Sequence, residues 1–229
     1  MTRTKFATLG LACCALLTGR VAGAQPPDPA AMARQYAESA RQNATQLREY
    51  SWKMRVEMTA DGKTHPTQSY QMRYDMDGKL QKTPLTAPEE IKKKRGLIRG
   101  AIQKNKIEDF KQWAERLQDL IKDYMAPSPG TMLDFYSKAR MSPGPDSTAQ
   151  MAAGDFLEKG DRATFWVNKA TSAPVRYNFV TSLDGDSVEG SVEFAQVAGG
   201  PRYPGRVTVS VPARKVTTKV ENSDFLKQQ

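Results

Sequence analysis

The run Tyr50-Ser51-Trp52-Lys53-Met54-Arg55-Val56-Glu57-Met58 decides the fold. Every second residue is large and apolar, and the residues between are polar or charged. A period of two places one set on one face of a sheet and the other set on the opposite face. The pattern returns at Tyr70, Met72, Tyr74 and Met76, separated by Gln71, Arg73 and Asp75. Asp61-Gly62 and the polar stretch to Gln68 read as the turn between the two runs, and Asp77-Gly78 as the next tight turn. Antiparallel pairing would set Lys53, Arg55 and Glu57 near Arg73 and Asp75 on the outer face. The inner face is built from methionines and aromatics, which suit an adaptable greasy surface.

Working outward, Asp28-Pro29 is an N-cap followed by proline at the first helical position, and 30–47 reads as a helix. Thr86-Ala87-Pro88-Glu89 fits a capping box. The helical segment after it begins with a strongly basic half containing Lys92, Lys93, Lys94, Arg95 and Arg99, with Gly96 and Gly100 marking a bend. Its second half, Ile107 to Tyr124, is amphipathic, and Met132 to Ala139 forms a further short helix. Ser142 to Ser147 reads as a flexible loop. The remainder is β, with strands at about 153–158, 162–168, 175–183, 188–194, 207–211 and 216–220 joined by tight turns. Strands and helices do not alternate, which argues against a parallel α/β fold. The expected class is α+β: a strongly curved antiparallel sheet, an unclosed barrel, with helices covering its concave face.

The ends and the composition bound the compartment. Arg3 and Lys5 precede an apolar run from Phe6 to Leu17, and Ala22-Gly23-Ala24 follows. This is the pattern of a secretory signal peptide spanning 1–24, cleaved near Ala24. The run is shorter than the roughly 20 apolar residues that a membrane span needs. Acylation at Cys13 is disfavoured, because Gly10 stands where a branched aliphatic belongs. Cys13 and Cys14 are the only cysteines, so the mature chain has no thiol for a disulfide, a metal site or a nucleophile. Residues 25–229 are long enough for one domain, with the helical insertion at about 86–126. The chain carries 34 Lys+Arg against 25 Asp+Glu, a net +9, and without Arg3, Lys5 and Arg20 the excess is +6. Such an excess suits an anionic surface or acidic partner and is no signature of nucleic-acid binding.

The hairpin motifs Tyr50-Ser51-Trp52-Lys53 and Tyr74-Asp75-Met76-Asp77-Gly78-Lys79 stand between a leading helix and a helical interruption, ahead of a β meander. In this the chain resembles the LolA/LolB family of periplasmic lipoprotein carriers. The resemblance implies an unclosed β-barrel capped by helices, whose hydrophobic cavity holds acyl chains. The family's buried gating arginine is not matched, since Arg55 and Arg73 fall on the outward parity.

No GxSxG, HExxH or P-loop is present, so no catalytic site or cofactor is expected. His65 is the only histidine and stands alone in a polar loop, which leaves no metal site. Asp184-Gly185-Asp186 lacks the ligand pattern of a calcium loop and reads as a hairpin turn. The function expected is a non-enzymatic carrier for an acyl chain or lipoprotein in the bacterial envelope. The ligand face would comprise Trp52, Met54, Val56, Met58, Tyr70, Met72, Tyr74, Met76, Tyr177 and Phe179, unless the helices at 30–47 and 107–124 fill the same concavity as core. The alternative is a scaffold module docking a membrane or an envelope partner through Lys92, Lys93, Lys94, Arg95 and Arg99.

Overall fold

The computed structural model describes residues 28–85 and 97–228, with side chains in the second helix described from Glu108 onward. Eleven antiparallel strands form a single open sheet: β1 (Tyr50–Ala60), β2 (Lys63–Thr64), β3 (Gln68–Tyr74), β4 (Leu80–Pro84), β5 (Arg140–Pro143), β6 (Thr148–Gly154), β7 (Arg162–Asn168), β8 (Pro174–Leu183), β9 (Asp186–Gln196), β10 (Arg202–Val211) and β11 (Val216–Lys227). The spatial order is β4-β3-β1-β11-β10-β9-β8-β7-β6-β5, with β2 a short flap on β1. β4 and β5 are unpaired edges, so the sheet does not close. The expected unclosed α+β architecture is what the chain adopts.

Local chemistry explains the connections. Two hairpins turn through residues with positive φ, Asp61-Gly62 after β1 and Asp184-Gly185 after β8. Aspartate and glycine tolerate that conformation, and it matches the twist of the flanking strands. The chain from β10 to β11 passes through one 3₁₀ turn at Pro212–Arg214 and a left-handed Lys215.

Helix α1 (Pro29–Leu47) starts where Asp28 Oδ1 accepts the Ala30 amide at 3.0 Å. It packs on α3 (Pro129–Lys138) and turns Met32, Ala33 and Tyr36 toward the core. The Asn43 side chain ties it to β10, donating to the Arg202 carbonyl at 2.6 Å and accepting from the Arg202 amide at 2.7 Å. Helix α2 (Leu97–Met125) runs unbroken through Gly100 and buries Trp113, Leu117 and Tyr124 at helical spacing. Ser128 caps α3, accepting from the Thr131 amide at 3.1 Å, and Met132 and Phe135 point inward.

The core lies between α2, α3 and β6–β11. Phe135, Phe156, Phe165, Tyr177, Phe179 and Tyr124 form one aromatic stack, with Phe165 and Tyr177 parallel at 4.2 Å and Tyr124 and Phe179 at 4.6 Å. Such pairs add about 0.5–1.5 kcal/mol each beyond the area they bury. Val188, Val192, Val207, Val209, Val211 and Val216 form the sheet side of it. Asp161 closes the β6–β7 loop over this core. Its carboxylate accepts from the amides of Phe156, Leu157 and Glu158 and from the Tyr124 hydroxyl at 2.6 Å. Tyr124 has one proton, so the 2.8 Å contact to Thr181 Oγ1 is a bond that Thr181 donates.

Four expectations change in detail. The strand expected at 153–158 is β6 at 148–154, because residues 155–161 form the loop that Asp161 organises. The stretch 142–147 is part of the β5–β6 hairpin rather than a free loop. β3 ends at Tyr74, since Asp75 leaves the strand to hold its own turn, accepting from the Asp77 and Lys79 amides. The outer-face charges of β1 therefore find their acids on β11 and not on β3. Arg55 pairs with Glu221, Glu221 with Arg206, and Arg206 with Glu193, at 3.7, 3.5 and 3.0 Å. Arg176 continues that row in register and lies 4.6 Å from the Trp166 ring.

Candidate functional site

The register carries the core face of the sheet past the packed region. Val207, Val220 and Val56 lie side by side, as do Val209, Thr218 and Met58. The face that buries the valines therefore continues into β1 as Val56 and Met58, then as Met54 and Trp52. On β3 the partners of Met54 and Trp52 are Tyr70 and Met72, and on β4 those of Tyr74 and Met72 are Leu80 and Lys82. Eight apolar side chains thus share one face: Trp52, Met54, Val56, Met58, Tyr70, Met72, Tyr74 and Leu80. Trp52, Met54, Val56, Met58, Tyr70 and Met72 belong neither to the core cluster nor to the side chains packed against it.

One end of this face is fixed. Trp52 stacks on Phe225 at 5.4 Å with the rings nearly parallel, and tilts against Tyr74 at 5.9 Å. Phe225 in turn meets Tyr203 at 3.9 Å. The indole N–H of Trp52 donates to Asn222 Oδ1 at 3.1 Å, and Asn222 Nδ2 donates to the Pro204 carbonyl at 2.8 Å. Trp52 and Met72 are buried, while Met54, Val56, Met58, Tyr70 and Tyr74 are half-buried. The other end is mobile in chemistry if not in backbone: methionine side chains, three rotatable bonds each, on a rigid ladder.

Lys82 is the only charged residue that β1, β3 and β4 place on this face. Its ammonium lies 3.8 Å from the centroid of the Tyr70 ring, and it forms no ion pair among the described residues. Burial alone pushes its pKa below the usual lysine range.

The structure brings seven of the ten expected ligand-face residues together: Trp52, Met54, Val56, Met58, Tyr70, Met72 and Tyr74. Met76 is fully exposed in the Asp75–Lys79 turn, which corrects its inward placement. The parity that pointed it inward ends with β3. Tyr177 and Phe179 are on the right face but sit under the helices, stacked on Phe165 and Tyr124, and are 3% and 1% exposed. The concavity is filled there. Lys92, Lys93, Lys94 and Arg95 lie outside the described residues, as does the side chain of Arg99.

Phe225, Tyr203 and Asn222 were not foreseen. A bulge explains Phe225: β1 and β11 slip register between Ser51 and Lys53, and Asp224 sits there at φ +54°. The slip turns Phe225 onto the face that simple alternation from Val220 denies it. Two hollows lie away from this face. A recess of about 340 Å³ opens between the α2–α3 turn and the β6–β7 loop, lined by Leu120, Tyr124, Pro127 and Leu157 among others. A depression of about 140 Å³ lies among Arg55, Glu57, Lys219 and Glu221 on the convex side. On the apolar face Met54, Val56, Met58, Tyr70 and Tyr74 remain half-buried, and Trp52 and Met72 are buried.

The chain matches no family model and no curated protein. Solved structures that it is similar to include the following three. One is a DUF1329 family protein from Desulfovibrio piger, 11% identical, covering 88% of this chain and 94% of that one, with a TM-score of 0.41. Another is a LolA superfamily protein from Nitrosomonas europaea, 12% identical over 86% and 93%, with a TM-score of 0.39. The third is an outer membrane lipoprotein-sorting protein domain from Vibrio parahaemolyticus, 9% identical over 86% and 94%, with a TM-score of 0.37. The functional reading rests on the site's own geometry.

Proposed function

We propose that this chain is an exported, non-enzymatic carrier or binding protein for an acyl chain or acylated protein in the bacterial envelope. It would act in the periplasm after removal of the leader at Ala24. The observation that carries the reading is the methionine-rich continuation of the core face across β1, β3 and β4, beyond the packed aromatic core. A face of that kind receives a flexible apolar ligand by burial alone. Each acyl CH₂ removed from water contributes about 0.8 kcal/mol, so a dozen carbons outweigh the ordering costs of binding.

The test is thermal. Delipidated protein, titrated with laurate and 1-dodecanol, should unfold at a higher temperature. At a hundredfold excess over Kd the gain is roughly 2.7 kcal/mol, or about 5–10 °C for a chain of this size. Met54→Gln, which puts an amide in the middle of the face, should blunt the shift. Absence of any shift, together with native mass spectra free of lipid, sinks the reading.

A further inference from the structure

Across β1, β3 and β4 the face carries one charge, and that charge selects a ligand. Resting on the carrier reading above, we propose that Lys82 gives the β1–β3–β4 face a preference for single-chain amphiphiles with an anionic head. The chain would lie along the half-buried Tyr70, Met54 and Met58, and the anion would pair with the Lys82 ammonium at the β4 edge.

Three observations support this. Lys82 stands directly across from Met72, which stands across from Trp52, so the ammonium and the apolar floor share one row. The ammonium is held over Tyr70 and not over solvent-facing acids: no carboxylate pairs with it among the described residues. On the convex face Arg55, Arg206 and Lys53 are matched with acids, and Arg176 there lies over the Trp166 ring as Lys82 lies over Tyr70. Lys82 is exposed along β4 and has no counter-ion among the described residues, so an anion can reach it, and a charge-assisted hydrogen bond is roughly twice as strong as a neutral one. β4 is also the free edge of the sheet, so the head group would remain in contact with water while the tail crosses inward.

The experiment compares ligands that differ only in the head. Laurate, 1-dodecanol and dodecyltrimethylammonium are titrated calorimetrically into the delipidated chain at pH 7.5, below micelle-forming concentrations. Wild type should bind laurate about tenfold more tightly than dodecanol, and the cationic amphiphile more weakly than either. Lys82→Gln should bring laurate to the dodecanol affinity and leave dodecanol within twofold of wild type, which also shows that the variant is folded. Lys82→Arg should keep the preference. Equal binding of laurate and dodecanol by wild type, or a preference that survives Lys82→Gln, overturns this proposal while leaving the carrier reading intact. Failure of all three ligands to bind removes both.

Discussion

The sheet has two halves with one face in common and opposite fates. Beneath α2 and α3, strands β6–β10 meet rigid rings and β-branched valines, and the space is closed. Along β1, β3 and β4 the same face carries the half-buried Met54, Met58, Tyr70 and Tyr74 beside the buried Trp52 and Met72, and a single lysine. Side-chain type tracks the difference. Valine and phenylalanine have few rotamers and fill a defined volume, whereas methionine adapts to whatever lies on it. One half is finished as a core by the protein itself. The other keeps Met54, Met58, Tyr70 and Tyr74 half-buried at the same polarity.

The largest expected effect tests whether the halves differ in energy as they do in packing. Phe179→Ala removes a ring that is 1% exposed and stacked between Tyr124 and Tyr177. It should cost about 3–5 kcal/mol in chemical denaturation. Met54→Ala in the half-buried region should cost under about 1.5 kcal/mol, because little area is lost and no closed cavity is left. Similar losses at the two sites would mean that the methionine face is core after all.

Gly190 sharpens the same contrast at the next magnitude. It lies directly across from Phe179, and a Cβ there would fall 2.1 Å from the ring. The ring occupies the space that a side chain would need. Gly190→Ala should therefore destabilise by about 1–3 kcal/mol through overpacking, read as a lower denaturation midpoint with unchanged slope. The double variant Phe179→Ala/Gly190→Ala should recover part of that loss, since the obstacle is gone.

How much of this was legible depended on whether a feature was periodic. The first hairpin, the leading helix and the meander turns follow from alternation and from Asp-Gly pairs, and they stand where those signals put them. The filled half did not follow, because nothing in Tyr177-Asn178-Phe179 distinguishes a face under a helix from a face beside one. That depends on where α2 and α3 lie across the sheet. Phe225 was hidden by a bulge, which breaks the period that sequence reasoning relies on. Asp161 was hidden for another reason. Its role is to satisfy three loop amides and one tyrosine hydroxyl, partners that the fold assembles from separate segments.

The smallest effect concerns one of the two unpaired buried side-chain groups among the described residues, the Trp113 indole N–H being the other. The Tyr177 hydroxyl is buried with no hydrogen-bond partner, although its neighbour Tyr124 is fully bonded to Asp161 and Thr181. An unpaired buried hydroxyl costs about 1–3 kcal/mol, and removing it while keeping the ring avoids a cavity. Tyr177→Phe should thus be neutral or raise stability by about 1 kcal/mol. The pH profile gives a second reading. Burial holds the Tyr177 pKa above the ordinary value of 10.0, so the folded state keeps the proton after the unfolded state has released it. Its share of stability is full below pH 10 and is lost as pH rises beyond it, by about 1.4 kcal/mol per pH unit for one proton. Tyr177→Phe should make the alkaline fall shallower by that one proton, while Tyr124 and Tyr136, the latter pushed up to about 12 by burial, still contribute theirs. A variant that instead loses stability, or loses laurate binding, would show that the hydroxyl is used. The filled half would then belong to the ligand site, and the division of the sheet into core and surface would have to be redrawn.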